Sequence, residues 1–452
     1  MALPIPPEGS PPEGAVLIDD DALSGEARTI ITGNDRGGYT VPTAGLYPYQ
    51  WNWDSAIVSL GFAAFDLDRA WTEIETLVAH QWPDGMIPHI IFHKEVPSYF
   101  PGPTVWDTGR PVPTSGHSQP PVIAFCAEEL LALDSGPLGQ ARASRVFDAL
   151  MRWHTWFHTS RDPGGLGVVA VTHPWESGRD NSPDWDEALE AVDGSGVAPY
   201  KRRDLAHVDA SMRPTKEEYD RYIALVEFGR SLGWNARDIG QRNPFFVADP
   251  GTTFILLAAD RALLRLAHIL KKIDDVPVIE EWISRAEAGV ERLWDPVQET
   301  YTALDLRTST LARGVSSAAM LCFFADVGTD DQRAAMTGHL QRIKAKTGFM
   351  VASHDPDLPN FDSKRYWRGP VWGFMNMMIG KGFADQGYIS EADEIWQDTR
   401  KLIGQSGFAE YFDCNAGTPA GGGAFSWTAA MWLHYGREGA RWAPTSSTAR
   451  TA

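Results

Sequence analysis

Cysteine is scarce: the 452 residues hold three, at Cys126, Cys322 and Cys414. An odd, sparse set without metal-like spacing excludes a disulfide framework and fits a reducing compartment. No apolar run approaches the roughly 18 residues that a membrane span needs. The opening MALPIPPEGSPPEG has neither the basic nor the apolar stretch of a secretory signal, so a cytoplasmic location is expected. Basic residues are also short: 40 Lys and Arg face 59 Asp and Glu, a net charge of −19. Such a balance argues against nucleic acid or an anionic membrane as partner. Known reactive signatures are missing too. The glycine run at 421–423 is not followed by Lys-Ser/Thr, SGHSQPP lacks the G-x-S-x-G pattern, and His89 and His93 have no general base between them. No cofactor and no metal is expected.

Aromatic residues are abundant instead, with 18 Trp, 20 Phe and 12 Tyr. A large helical core accounts for many Trp; stacking surfaces for the apolar face of a sugar ring account for others. Helical periodicity dominates the chain. It is clearest in SQPPVIAFCAEELLALD (118–134) and in TTFILLAADRALLRLAHILKKI (252–273), whose nearly continuous apolar character suits a helix buried among others. Further helices are predicted to start near Asp54, Asp68, Ala141, Lys216, Val278, Val315, Asp331, Trp367, Ser390 and Gly423. That makes about a dozen. GVVAVTH (167–173) reads as the best strand and FVAD (246–249) as a weaker one. The expectation is an all-α chain closed as an (α/α)6 barrel, or toroid, with inserted loops over a central cavity. One catalytic domain over 15–442 is expected, between disordered segments at 1–14 and 443–452.

Six punctuated segments carry acidic and aromatic residues together. HPWESGRDNSPDWD (173–186) holds Glu176, Asp180, Asp184 and Asp186 between Trp175 and Trp185, with Glu187 just beyond. YPYQWNWDSA places Trp51, Trp53 and Asp54 where a helix starts, so Asp54 or Ser55 could simply cap it. QWPDGMIPH contains a turn signature, and a helix there would put His89 and His93 on one face. HVDASMRPTKEEYDRY offers Arg213 in a loop, a capping box of Thr215 with Glu218, and Tyr219. KRYWRGPVW holds Trp367 and Trp372, and GFAEYFDC holds Glu410 and Asp413. Carboxylates in Trp-lined loops, without metal or nucleotide motifs, point to acid–base work on a glycoside. One carboxyl group donates a proton to the leaving oxygen, while the other activates water or attacks carbon. Spacing alone does not say which carboxylates these are.

Five of these segments, YPYQWNWDSA, QWPDGMIPH, HPWESGRDNSP, RYWRGPVW and EYFDC…FSWTAA, resemble in this order glycoside hydrolase family 63. The resemblance is closest to its small bacterial glucosylglycerate and mannosylglycerate hydrolases and runs from about Gly33 to Tyr435. It implies an inverting mechanism on a small glycoside, α-glucosylglycerate by preference. Asp180 would be the general acid and Glu410 the general base, their carboxyl groups ~6.5–9.5 Å apart. Tyr47, Trp51, Trp53, Asp54, Gln119, Trp175, Gly178, Tyr366 and Trp367 match positions around the sugar, while Arg213 and Tyr219 match those around glycerate. Ala424 departs from the polar residue of some glycerate-specific relatives. Glu176 is a second carboxylate to weigh, with sugar hydroxyls or Arg179 as its partner, while Asp184, Asp186 and Glu187 are expected to cap a helix or face solvent. The stretch 81–109 is the expected lid.

Two rival readings remain at this point. A sugar epimerase on the same barrel would rely on histidine bases, His89, His117 and His207 first. A sugar-binding protein would use the carboxylates only to hold hydroxyls. The partner expected in every case is a small molecule, and the composition suits a monomer or a dimer.

Overall fold

Caps and prolines set where the helices begin. Asp19 accepts from Ala22 N, Asp66 from Arg69 N, and Asp249 from both Gly251 N and Thr252 N; Pro137, Pro250 and Pro277 stand in first turns. Thr215 with Glu218, and Thr329 with Gln332, close reciprocal capping boxes. The computed structural model describes residues 18–162, 164–202 and 208–435. The segments 1–14 and 443–452 and the candidate base His207 lie outside the described residues.

Outer and inner helices alternate along most of the chain. Helix α1 (Asp20–Asn34) is followed by α2 (Asn52–Ala63), α3 (Leu67–Ala79), α4 (Ile123–Leu133) and α5 (Pro137–Trp156). Then come α6 (Lys216–Ser231), α7 (Pro250–Ile269), α8 (Val276–Gly289), α9 (Asp330–Lys344), α10 (Gly373–Asp385), α11 (Ile389–Ser406) and α12 (Ser426–Tyr435). The inner ones are apolar nearly all round. Helix α2 is buried from Asn52 through Phe62, and α7 from Pro250 through Asp260. Outer helices bury one stripe, such as Ala70, Trp71, Ile74 and Leu77 of α3. Contacts between inner segments run from α2 to α4, α7, the turn Ala319–Cys322, α10 and α12, and α12 returns to α2. No helix among the described residues is long and apolar enough to cross a membrane.

Both expected strands form, at Ala170–Val171 and Val247–Ala248, and they pair antiparallel in a four-stranded sheet with Leu304–Asp305 and Thr310–Leu311. This small sheet delivers the chain into the acidic tract at 172–186. Four expectations need correction. The segment after Val315 is a 3-10 turn, because Ser317 N–H bonds Ser353 O and the following amides reach only three residues back. The helix expected near Trp367 starts at Gly373, since Pro370 lacks an N–H and Val371 bridges to Ala352 and Phe412 in extended form. His89 and His93 share no helix face, for Ile90–Ile91 is a strand paired with Gln50–Trp51. Helix α1 was not anticipated; its buried face is only Ala27, Ile31 and Asn34.

Candidate active site

The loops at one end of the inner segments surround a cavity of about 930 Å³, counting the space at its open mouth. Tyr47, Trp51, Trp53, Asp54, Gln119, Trp175, Gly178, Asp180, Arg213, Tyr219, Tyr366, Trp367 and Glu410 all line it. Every residue proposed from the sequence as acid, base or substrate contact is therefore brought to one wall or another of this space.

Glu410 is held in place by a hairpin. Strand Tyr411–Phe412 pairs with Pro419–Ala420, and Glu410 N–H bonds Gly422 O at 2.8 Å. The carboxylate, 1 % exposed, accepts from Tyr47 OH on Oε1 (2.9 Å) and from Gly422 N–H (2.8 Å) and Arg213 Nη2 (2.9 Å) on Oε2. Arg213 Nη1 also donates to Tyr47 OH at 2.8 Å, and its guanidinium lies 4.6 Å from the Tyr366 ring centroid. The loop arginine is thus buried against a carboxylate. Burial opposes its charge, but Glu410 and the tyrosines Tyr47, Tyr366 and Tyr411 outweigh that and hold its pKa well above the ordinary value.

Asp180 comes from a turn whose neighbours are pinned. Arg179 bonds Asp184 and Asp249, each at 2.8 Å, and Asn181 Nδ2 bonds Glu218 at 3.1 Å. Tyr222 OH donates to Asp180 O at 2.6 Å, and Asp180 lines the cavity. Gly178, two residues earlier, has φ +72°, and a Cβ there would stand 2.3 Å from Trp53 Cη2. Trp53 is itself packed on Phe374 and Trp427. Gly178→Ala is expected to cost roughly 1–3 kcal/mol through strain and overpacking. It should also raise KM by displacing the Trp53 wall; thermal unfolding and steady-state rates check both.

Asp54 does not cap α2. It stands inside the first turn, and Trp53 N–H is taken instead by Gln119 Oε1 at 3.2 Å. Ser55 is no cap either, for its hydroxyl bonds Glu73 at 2.6 Å. Burial, with Glu410 nearby, pushes the Asp54 carboxyl well above the usual range, which favours its neutral, proton-donating form.

Other carboxylates of the acidic tract have structural partners. Glu176 is fully buried and takes both Arg161 Nε and Nη2 at 2.8 Å, plus Thr172 N–H at 2.9 Å. Its partner is Arg161, not Arg179 or a sugar. Asp184 is buried rather than solvated, because Arg179 and Ser316 both bond it. Asp186 and Glu187 do stand in the first turn of the short helix Asp186–Leu189. Glu218 makes its capping box and also pairs with Arg365 and Arg368.

Aromatic rings make the walls. Trp367 stacks on Trp372 at 4.0 Å and 5°, and Trp175 sits between His173 at 4.5 Å and Tyr219 at 5.7 Å. Behind Trp175, His89, His117 and His173 form a stack with successive centroids 4.9 Å apart. Burial drives His173 down to about 3 and the other two well below the ordinary value, so all three are neutral near pH 7. Only His89 of the three lines the cavity. Sequence reasoning missed Tyr99, Phe100, Phe425 and Trp427 as lining residues. The aromatic run SYF and the FSW triplet were the available signals. No group of His, Cys, Asp and Glu among the described residues is arranged to hold a metal.

Residues 47–428 match the family described as mannosylglycerate hydrolase MGH1-like glycoside hydrolase domain. The chain belongs to that family. It is a glycoside hydrolase. The chain is 44 % identical to mannosylglycerate hydrolase MGH1 of Selaginella moellendorffii, over 90 % of its own length and 84 % of that protein. The glucosylglycerate hydrolase of Mycolicibacterium hassiacum is 33 % identical over 91 % of this chain and 97 % of that one. Among solved structures, the family 63 mannosylglycerate hydrolase of Thermus thermophilus, in complex with Tris and D-glycerate, is 42 % identical. It covers 92 % of this chain and 100 % of its own, with a TM-score of 0.89.

Proposed function

We propose that this hydrolase cleaves a small α-glycoside of glycerate, mannosylglycerate or glucosylglycerate, with inversion at the anomeric carbon. Asp180 protonates the glycosidic oxygen as the bond to the sugar breaks, and Glu410 takes a proton from the attacking water. Tyr47, Trp51, Trp53, Asp54, Gln119, Trp175, Gly178, Tyr366 and Trp367 bind the sugar; Arg213 and Tyr219 bind glycerate. The observation that carries this reading is that Asp180 and Glu410, far apart in sequence, line one aromatic-walled cavity together with an arginine, Arg213, bonded to Glu410. A guanidinium fork suits the glycerate carboxylate. The relatives at 44 % and 42 % identity favour the mannosyl substrate over the glucosyl one, whose named relative stands at 33 %.

The closed order of inner contacts supports an (α/α)6 toroid, with 15–442 as one catalytic domain. Tyr99, Phe100 and Pro101 reach the cavity from the stretch 81–109, and Phe100 stacks on Tyr200 at 4.5 Å. That position supports a lid that closes over substrate and excludes water. Sugar release from mannosylglycerate, glucosylglycerate, glucosylglycerol and several α-disaccharides tests the reading. A glycerate glycoside should exceed glucosylglycerol in kcat/KM by at least about 10²-fold, since a site built for a carboxylate is left unpaired by its neutral analogue. Equal rates on glucosylglycerol, or turnover of disaccharides alone, would reject glycerate as the aglycone.

A further inference from the structure

Arg213 stands on the group that must act as base. Its Nη2 donates to Glu410 Oε2 at 2.9 Å and its Nη1 to Tyr47 OH at 2.8 Å, while Tyr47 OH in turn donates to Glu410 Oε1. One donor is left over: Arg213 Nε–H is buried and has no acceptor among the described residues. The geometry of the guanidinium gives this leftover donor a consequence. Nε–H and one Nη2–H lie parallel on the same edge, the edge by which arginine grips a carboxylate with two bonds. The Arg69–Asp35 pair of this chain uses that edge, with Nε at 3.0 Å and Nη2 at 2.8 Å. In Arg213 half of the edge is given to Glu410 and half is unused. A substrate carboxylate that takes both donors must draw Nη2 away from Glu410.

A carboxylate bonded to a guanidinium is a weaker proton acceptor than one without it. We propose that Arg213 caps Glu410 before substrate enters and transfers to the substrate's own carboxylate, so that Glu410 becomes a competent base only when an anionic aglycone is seated. The inference rests on the glycerate reading above. Glu410 keeps Tyr47 OH and Gly422 N–H after the transfer, so its oxygens stay oriented while the cation leaves. The other titratable groups that face it are Asp54, Tyr47, Tyr366 and Tyr411, with Asp180 beyond Tyr366. Arg213 is the cation of this group, and its departure raises the proton affinity of the base. Selection for glycerate then acts on the chemical step as well as on binding.

The α-glycosyl fluoride of the preferred sugar separates the two effects, since it fills the sugar pocket and has no carboxylate. Its hydrolysis by wild type should rise about tenfold or more on addition of free D-glycerate. In Arg213→Met the fluoride should be hydrolysed at least as fast as by wild type without glycerate, and glycerate should have no effect. The acid limb of its pH–rate profile should move up by about 1 to 3 pH units. Arg213→Lys, which keeps charge but loses the fork, should keep the acid limb near that of wild type and lose most of the glycerate stimulation. Glycerate that leaves the wild-type rate unchanged or lowers it overturns the proposal, even if Arg213→Met does not fold. An unmoved acid limb in a folded Arg213→Met does the same. Wild type that turns over no glycerate glycoside rejects the parent reading instead.

Discussion

Asp180→Asn is expected to lower kcat on a glycerate glycoside by roughly 10³-fold while leaving unfolding free energy within about 0.5 kcal/mol of wild type. The amide matches the carboxyl group in shape but cannot hand a proton to the leaving oxygen. Structure gives a reason for the small stability change: the turn is held by Arg179, Asn181 and the backbone carbonyl of Asp180, all of which the substitution leaves in place. A glycosyl fluoride needs little protonation, so the variant should retain a large share of wild-type activity on it. Glu410→Gln should differ in that respect. Without a base to deprotonate water, it should lose both substrates by a comparable factor. If Asp180→Asn lost the fluoride as completely as the glycoside, Asp180 would not be the acid.

Glu176→Ala should act on stability first. The carboxylate and Arg161 are both buried, and two bonds of 2.8 Å join them. Removing Glu176 leaves an arginine charge without its partner in the interior, which costs about 3–5 kcal/mol. Thr172 N–H loses its acceptor as well, and the 3-10 turn Pro174–Ser177 that carries Trp175 loosens. Chemical denaturation measures the stability loss, and activity at low temperature measures what survives. Glu176→Gln, which can still accept from Thr172, should be milder. Full stability together with a collapse of kcat would instead make Glu176 a reacting carboxylate.

These two residues stand four apart in one tract, yet the sequence does not separate them by composition. What was legible there was the gathering: loops with Trp, Asp, Glu and Gly at helix starts were expected to meet over a cavity, and their residues line one. The pairing was not legible. Arg161 lies on the π-helical turn Phe157–Arg161, where nothing in the local pattern marks it as the counter-ion of Glu176. Arg213 and Glu410 meet across two loops, which is a tertiary fact with no local signature. Among helices, those with broad apolar faces were found and α1 was not, because Ala27 and Ile31 make too small a stripe in a polar segment. The displaced start of α10 followed from Pro370, a signal present in the sequence but outweighed by the surrounding tryptophans.

Proton NMR of the sugar released in the first minutes of hydrolysis bears most directly on the Asp180–Glu410 assignment. An acid and a base acting from opposite sides of the anomeric carbon release the β-anomer from an α-glycoside, with the α-anomer appearing only by later mutarotation. Initial release of the α-anomer would contradict the account, for it would require a carboxylate attacking carbon rather than Glu410 activating water.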